Sequence, residues 1–262
     1  MNIKIIRVNG GSKRAAALIA GAVSAGLLPG SGTAGPPFRT DDPEPVAYQH
    51  WEIYGFSEGT HVHGETAGTL PGLEVNYGVA PDVQLHVAAP YAFDKTSGVD
   101  ARHGYGDTEL GVKYRFIDED DGGWRPQVGT FPMLELPTGN ADKGLGAGHA
   151  REFIPLWVQK SFGSWTTYGG GGYWINPGAA NRNFWYFGWL LQRQVTEDLA
   201  LGAELFHQTA DTAQGTASTG FNLGGIYDVT ENHHILFSAG RGIEHASETN
   251  SFSYYAAYQL TF

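Results

Sequence analysis

Ten histidines are spread along the 262-residue chain, and hydrolytic or metal chemistry would have to be built on them. Acyl hydrolysis needs a Ser with a His in hydrogen-bond reach and a third group that orients the imidazole. His61, His63, His103, His149, His207 and the pair His233-His234 stand in no such pattern with a Ser and a carboxamide, and the nucleophile elbow G-x-S-x-G does not occur. His61-Val62-His63 has the spacing that puts two imidazoles on one face of a strand, but no third ligand accompanies them, so a solvated loop is the better reading. Gly169-Gly170-Gly171-Gly172 lies within an alternating run, not between a strand and a helix, so it is no phosphate loop. There the glycines make room for bulky neighbours or bend the wall. The absence of cysteine removes thiolate metal sites and redox pairs, and a formal charge of −11 disfavours a nucleic-acid partner. The expectation is a protein that is not an enzyme, with no catalytic residues, no metal and no cofactor.

A mean hydropathy of −0.27 leaves little room for a bundle of membrane helices. The first 34 residues read as a secretory signal peptide. A cationic stretch carrying Lys4, Arg7, Lys13 and Arg14 is followed by an uncharged run from Ala15 to Leu28, then by Gly32-Thr33-Ala34 with small residues at the cleavage-determining positions. The uncharged run is shorter than the roughly 20 residues a membrane helix needs. Removal of this segment leaves 12 basic against 27 acidic residues, a net charge of −15. An exported chain without disulfides needs another source of stability, and a closed barrel supplies one. Residues 35 to 49 (GPPFRTDDPEPVAYQ) are rich in proline and charge and read as a periplasmic leader. Two readings of it stay open: it tucks into the periplasmic mouth with Arg39 meeting lumen carboxylates, or it is a disordered tail.

From His50 to Phe262 the pattern alternates at a period of two, in runs near the ten residues of a strand that crosses an outer membrane. Twelve runs start at about Trp51, Gly72, Val83, Thr108, Gln127, Phe153, Trp165, Phe184, Leu199, Thr219, His234 and Phe252. Positions bearing Tyr, Val, Leu and Trp are expected to face lipid, and those bearing Glu, Asn, Gln, Gly and Lys to face inward. Short turns at 80–82, 118–123, 162–164, 196–198 and 230–232 alternate with longer polar loops at 59–68, 93–105, 137–151, 176–183, 209–217 and 242–250. This is the layout of an all-β fold, a closed antiparallel transmembrane β-barrel of about twelve strands with both termini periplasmic. The last run puts Phe252, Tyr254, Ala256, Tyr258, Leu260 and Phe262 on one face, aromatic at both ends, and Ser253, Tyr255, Gln259 and Thr261 on the other. Tyr258, Leu260 and Phe262 also resemble the C-terminal signal read by the barrel assembly machinery. In the run from Phe184 to Val195 both faces are apolar; the face with Trp185 and Trp189 is assigned outward, which sends Arg193 toward lipid.

Propagating the alternation gives lumen-lining candidates Glu52, Tyr54, Glu74, Asn76, Gln84, His86, Glu109, Lys113, Arg115, Glu135, Gln159, Glu204, Asn222 and Gln259. Twelve strands lie between barrels filled by side chains and 16-stranded porins, so these groups either pair across the interior or line a narrow conduit. Pro132 and Pro155 sit in neighbouring strands and cannot donate ladder hydrogen bonds, which marks either an inert bulge or a wall opening for an apolar solute.

Residues 35–54 (GPPFRTDDPEPVAYQHWEIY) and 136–149 (LPTGNADKGLGAGH) resemble two hallmark stretches of the putative MetA-pathway of phenol degradation family. The resemblance implies an outer-membrane transporter linked to uptake of aromatic compounds, and it brings no catalytic or binding residues. The resulting expectation is passive uptake of small, aromatic or hydrophobic compounds across the outer membrane, with lipids, the assembly machinery and a small solute as partners. The alternatives are a barrel with a side-chain-filled lumen that binds ligand without transport and, third, an outer-membrane hydrolase.

Overall fold

The computed structural model describes residues 36–120 and 122–262; the signal-peptide segment lies outside the described residues. Fourteen strand segments form one antiparallel sheet that closes on itself. They are β1 (Trp51–Val62), β2 (Glu65–Ala80), β3 (Val83–Thr96), β4 (Arg102–Tyr105), β5 (Thr108–Ile117), β6 (Gln127–Thr130), β7 (Met133–Leu136), β8 (Arg151–Phe162), β9 (Trp165–Ile175), β10 (Phe184–Thr196), β11 (Leu199–Gln208), β12 (Ser218–Thr230), β13 (His233–Glu244) and β14 (Phe252–Thr261). The segments β4 and β5 both pair with β3, and β6 and β7 both pair with β5 and β8, so each couple is one wall strand interrupted in the middle. The wall therefore has twelve strands, and pairing of β1 with β14 from Glu52↔Thr261 to His61↔Phe252 closes the ring. Closure leaves no edge and satisfies the backbone without water, which is the condition for crossing a bilayer.

The outer face is a belt of exposed apolar side chains. Leu85, Val87, Leu110, Val112, Ile154, Leu156, Leu205, Leu223, Ile235 and Phe237 alternate with buried neighbours along their strands. Trp185, Phe187, Trp189 and Leu191 of β10 point outward while Phe184, Tyr186 and Leu190 are buried inside. Arg193 also points outward, and its guanidinium lies 5.2 Å from the Trp165 ring centroid, a cation–π contact that keeps the charge at the rim. On β14, Phe252, Tyr258 and Phe262 are exposed while Ser253, Ala257 and Gln259 are buried.

Two expectations need correction. The loop assigned to 59–68 is instead the end of a long hairpin: β1 and β2 continue to Val62 and Glu65 and join through His63-Gly64, with Gly64 at φ 79°. The residues of this part of the hairpin are mostly polar or small on both faces, so the alternation fades although the ladder persists. The rule that Tyr, Leu and Trp face lipid also fails in places. Trp157, Tyr168 and Leu236 are buried inside the ring, as are Tyr186 and Leu190 on the face of β10 assigned inward.

They point inward because the interior is packed. Residues 36–46 run within the lumen, with Thr40 and Asp42 fully buried and Phe38 and Val46 nearly so, and the chain emerges at Ala47. Phe38 joins Tyr168 and Leu190 in one apolar cluster. Glycines on the inner wall make this possible. A Cβ on Gly188 would stand 2.0 Å from Thr40 Oγ1, and one on Gly78 would stand 2.0 Å from the Ala47 carbonyl oxygen, so both positions require glycine for close approach of the chain.

Candidate functional site

The candidate site is the barrel interior, divided by the leader into a packed half at the short-turn end and a cavity toward the long-loop end. Each sequence-derived lumen candidate is on the inner wall. In the lower half Tyr54 donates to Glu52 Oε2 at 2.8 Å and accepts from Gln259 Nε2 at 2.8 Å. Asn76 donates to Glu74 at 2.8 Å, and its Oδ1 lies 2.7 Å from His86 Nδ1. The other ring nitrogen of His86 faces Glu109 at 3.9 Å. Arg115 is held at the short-turn end by Asp82 and by Asp118, the latter at 2.9 Å. These groups satisfy most of one another's polar atoms; among the described residues His86 Nε2 and Gln259 Oε1 have no hydrogen-bond partner.

The remaining candidates, Glu135 apart, hold the leader directly or through one another. Both oxygens of the Glu204 carboxylate accept backbone N–H groups, Arg39 at 2.9 Å and Thr40 at 2.8 Å, and Asn222 Nδ2 donates to the first oxygen at 2.6 Å. Lys113, 3% exposed, places its ammonium 2.9 Å from Asp41 Oδ1 and 3.6 Å from Asp42 Oδ1. Gln84 accepts from Val46 N at 2.9 Å, Gln159 donates to Glu44 at 3.2 Å, and Ser238 donates to the Pro37 carbonyl at 2.5 Å. Burial pushes the Asp42 carboxyl well above the usual carboxylate range, and the Lys113 charge opposes that shift. Arg39 meets its lumen carboxylate through the backbone, not the guanidinium, which sits 4.7 Å above the Phe206 ring.

Above the leader lies a cavity of about 680 Å³, with Pro36, Pro37, Phe38 and Arg39 among its lining residues. Phe153, Trp174 and Phe184 form a file on one wall, with ring centroids 4.9 Å and 5.7 Å apart and interplanar angles of 18° and 14°. Arg151 lies 5.3 Å over Trp174 and donates two hydrogen bonds to Glu135, at 2.6 and 2.7 Å, from Nη2. Sequence reasoning did not single out this wall. Its aromatic residues look like membrane-facing ones, and only their register with Gln159 on β8 indicates that Phe153 and Trp157 face inward.

The cavity wall includes Met133, Glu135, Phe153 and Trp157, which flank the seam between β6/β7 and β8. Here the ladder passes from Gly129↔Trp157 directly to Met133↔Phe153. Phe131 and Pro132 form no part of either segment, the Pro155 carbonyl accepts from the Thr130 hydroxyl at 2.6 Å, and the Pro132 carbonyl accepts from Val112 N at 3.1 Å. Pro132 and Pro155 are therefore neighbours at one height, where the wall has its sparsest backbone pairing to β8.

Among solved structures, the COG4313 outer membrane channel from Pseudomonas putida F1 is similar over 84% of this chain and 99% of its own, with a TM-score of 0.63 and 19% identity. The KdgM porin (TM-score 0.56, 14% identity, 80% and 99% covered) and the NanC porin (0.53, 11%, 81% and 98%) share the barrel. No curated protein sequence is similar to the chain. At these identities the likeness establishes the fold, a closed twelve-stranded barrel of the outer-membrane channel kind. The model of the family described as putative MetA-pathway of phenol degradation matches residues 53–260, nearly the whole barrel, and the chain belongs to that family.

Proposed function

We propose that the protein is an outer-membrane channel for passive uptake of small solutes, aromatic and apolar compounds among them. The observation that carries this reading is the outer cavity: a space of about 680 Å³ inside a lipid-belted barrel, with stacked aromatic rings on one side and carboxylates on the other. A barrel that served only as a scaffold would fill that space, as the lower half is filled. Diffusion requires no cofactor, and the lining sets selectivity by size, hydrogen bonding and charge. Export by the N-terminal signal and insertion by the assembly machinery through Tyr258, Leu260 and Phe262 belong to the same proposal. Solute flux into liposomes and single-channel conductance of the refolded protein test it. A folded, inserted protein silent to ions and to aromatic solutes would favour the alternative of a ligand-binding barrel with a filled lumen, which the packed lower half supports.

The route out of the cavity for an apolar solute is the seam at Pro132 and Pro155. The leader closes the direct path to the periplasm, and the seam is the part of the cavity wall with the fewest backbone bonds to lose on opening. Replacement of both prolines by Val restores the missing donors and the ladder. Uptake of a hydrophobic aromatic by proteoliposomes should then slow several-fold while ion conductance stays at the wild-type level. Equal uptake by the two proteins would make the prolines an inert bulge.

A further inference from the structure

The two walls of the outer cavity differ in chemistry. Glu58, near the middle of β1, is an exposed residue on the cavity, and among the described residues its carboxylate makes no ion pair and no side-chain hydrogen bond. Its ladder partner is Tyr255, whose ring stacks on Phe56 with centroids 5.9 Å apart at 16°. The Tyr255 hydroxyl has no hydrogen-bond partner. Two arginines stand among six carboxylates around the cavity: Arg151 compensates one of them, Glu135, and Arg39 lies on the Phe206 ring. Lower on the same side, Glu74 and Glu109 share one histidine, His86. An accessible, uncompensated carboxylate beside aromatic faces is the chemistry that holds an organic ammonium.

The facing wall is different. In the twelve-strand ring β9 lies opposite β1, and there the file of Phe153, Trp174 and Phe184 offers stacking surface. Trp157 and Tyr186 also line the cavity, with Nε1 of the first and Oη of the second enclosed within the wall. We propose that the cavity binds protonated aryl-alkylamines. The ammonium sits between Glu58 and the faces of Phe56 and Tyr255, and the ring lies along the opposite aromatic wall. A ring acid of the same size meets an excess of like charge and is rejected. This site rests on the channel reading only in so far as the cavity lies on the solute's path.

The test uses three probes with the same hydroxylated ring and charges of +1, 0 and −1: tyramine, 4-ethylphenol and 4-hydroxyphenylacetate. Isothermal titration into the refolded protein in non-ionic detergent at neutral pH should give a Kd for tyramine at least tenfold below that for 4-ethylphenol, with 4-hydroxyphenylacetate weakest. The Glu58→Gln variant should bring tyramine to the affinity of 4-ethylphenol and leave 4-ethylphenol unchanged, and Phe56→Leu should weaken tyramine alone. Equal affinities, preference for the acid, absence of tyramine binding, or a Glu58→Gln protein that still prefers tyramine would each overturn the site. Binding is read without flux, so the two readings fail separately. Tyramine binding by a protein that passes no solute in liposomes sinks the channel and keeps the site, whereas conduction without charge preference does the reverse.

Discussion

Deletion of residues 36–46 raises single-channel conductance several-fold and makes the open state persistent. The reason is steric and local. Thr40 and Asp42 are fully buried, Phe38 packs with Tyr168 and Leu190, and the leader occupies the part of the lumen where the inner-wall glycines let it approach the sheet. None of the ladder hydrogen bonds that close the barrel belongs to this segment, so its loss removes the plug and leaves the wall. The exposed pore is then lined by Glu204, Asn222, Gln84, Gln159 and Lys113, all polar, and is wetted. A Gly188→Val protein provides a second route to the same state, since its side chain collides with Thr40 without shortening the chain. Planar-bilayer recordings check both, with heat-modifiable electrophoretic mobility reporting that the barrel has folded. Conductance unchanged in the deletion would mean that ions never pass through the lower lumen, and the sideways route would be the only one left.

The physics of a bilayer made the wall legible and left the interior mostly hidden. On β14 one face had to be apolar and the other not, so Tyr258 and Phe262 could be assigned outward from alternation; on β10 both faces are apolar, and the assignment of Trp185, Trp189 and with them Arg193 outward is a choice between two apolar faces. Past Gly59 the residues of β1 and β2 are mostly polar or small on both faces, which is why the upper hairpin reads as a loop; Glu58 lies just before it, and the same alternation points it inward although the lumen list stops at Tyr54 on that strand. The leader was ambiguous for another reason. Its lodging depends on backbone N–H groups of Arg39 and Thr40 meeting Glu204, and on glycines whose effect is the absence of a side chain. Neither leaves a residue-type pattern. The lumen list drew on polar character and so found Glu204, Lys113 and Gln84, the groups that hold the leader. It passed over Phe153, Trp174 and Tyr186, because an inward aromatic and a lipid-facing one are the same letter in the sequence.

Substitution of Lys113 by Met unseats the leader without unfolding the barrel. The ammonium is 4% exposed and is the cation that faces both Asp41 and Asp42, the second of which is wholly buried. Removing one partner of a buried ion pair leaves the other uncompensated, at a cost of about 3–5 kcal/mol. The other restraints are hydrogen bonds worth about 0.5–1.5 kcal/mol each, or about 1.5–3 where the Glu204 carboxylate accepts. The penalty offsets a large part of them, and the chain can relieve it by moving residues 36–46 into the periplasm, where Asp41 and Asp42 are hydrated. The Lys113→Met protein should show an open-state occupancy and conductance approaching those of the leader deletion, with the thermal transition of the barrel within a few degrees of wild type. Neutralising the acids in the same background, Asp41→Asn and Asp42→Asn, removes the buried charge and should return the channel to its closed level. If Lys113→Met alone conducts like wild type, the leader is held by packing against Tyr168 and Leu190 and by Glu204, and the ion pair is a passenger. If the triple variant stays open, the cation's attraction to the leader, not the desolvation of its carboxylates, sets the balance.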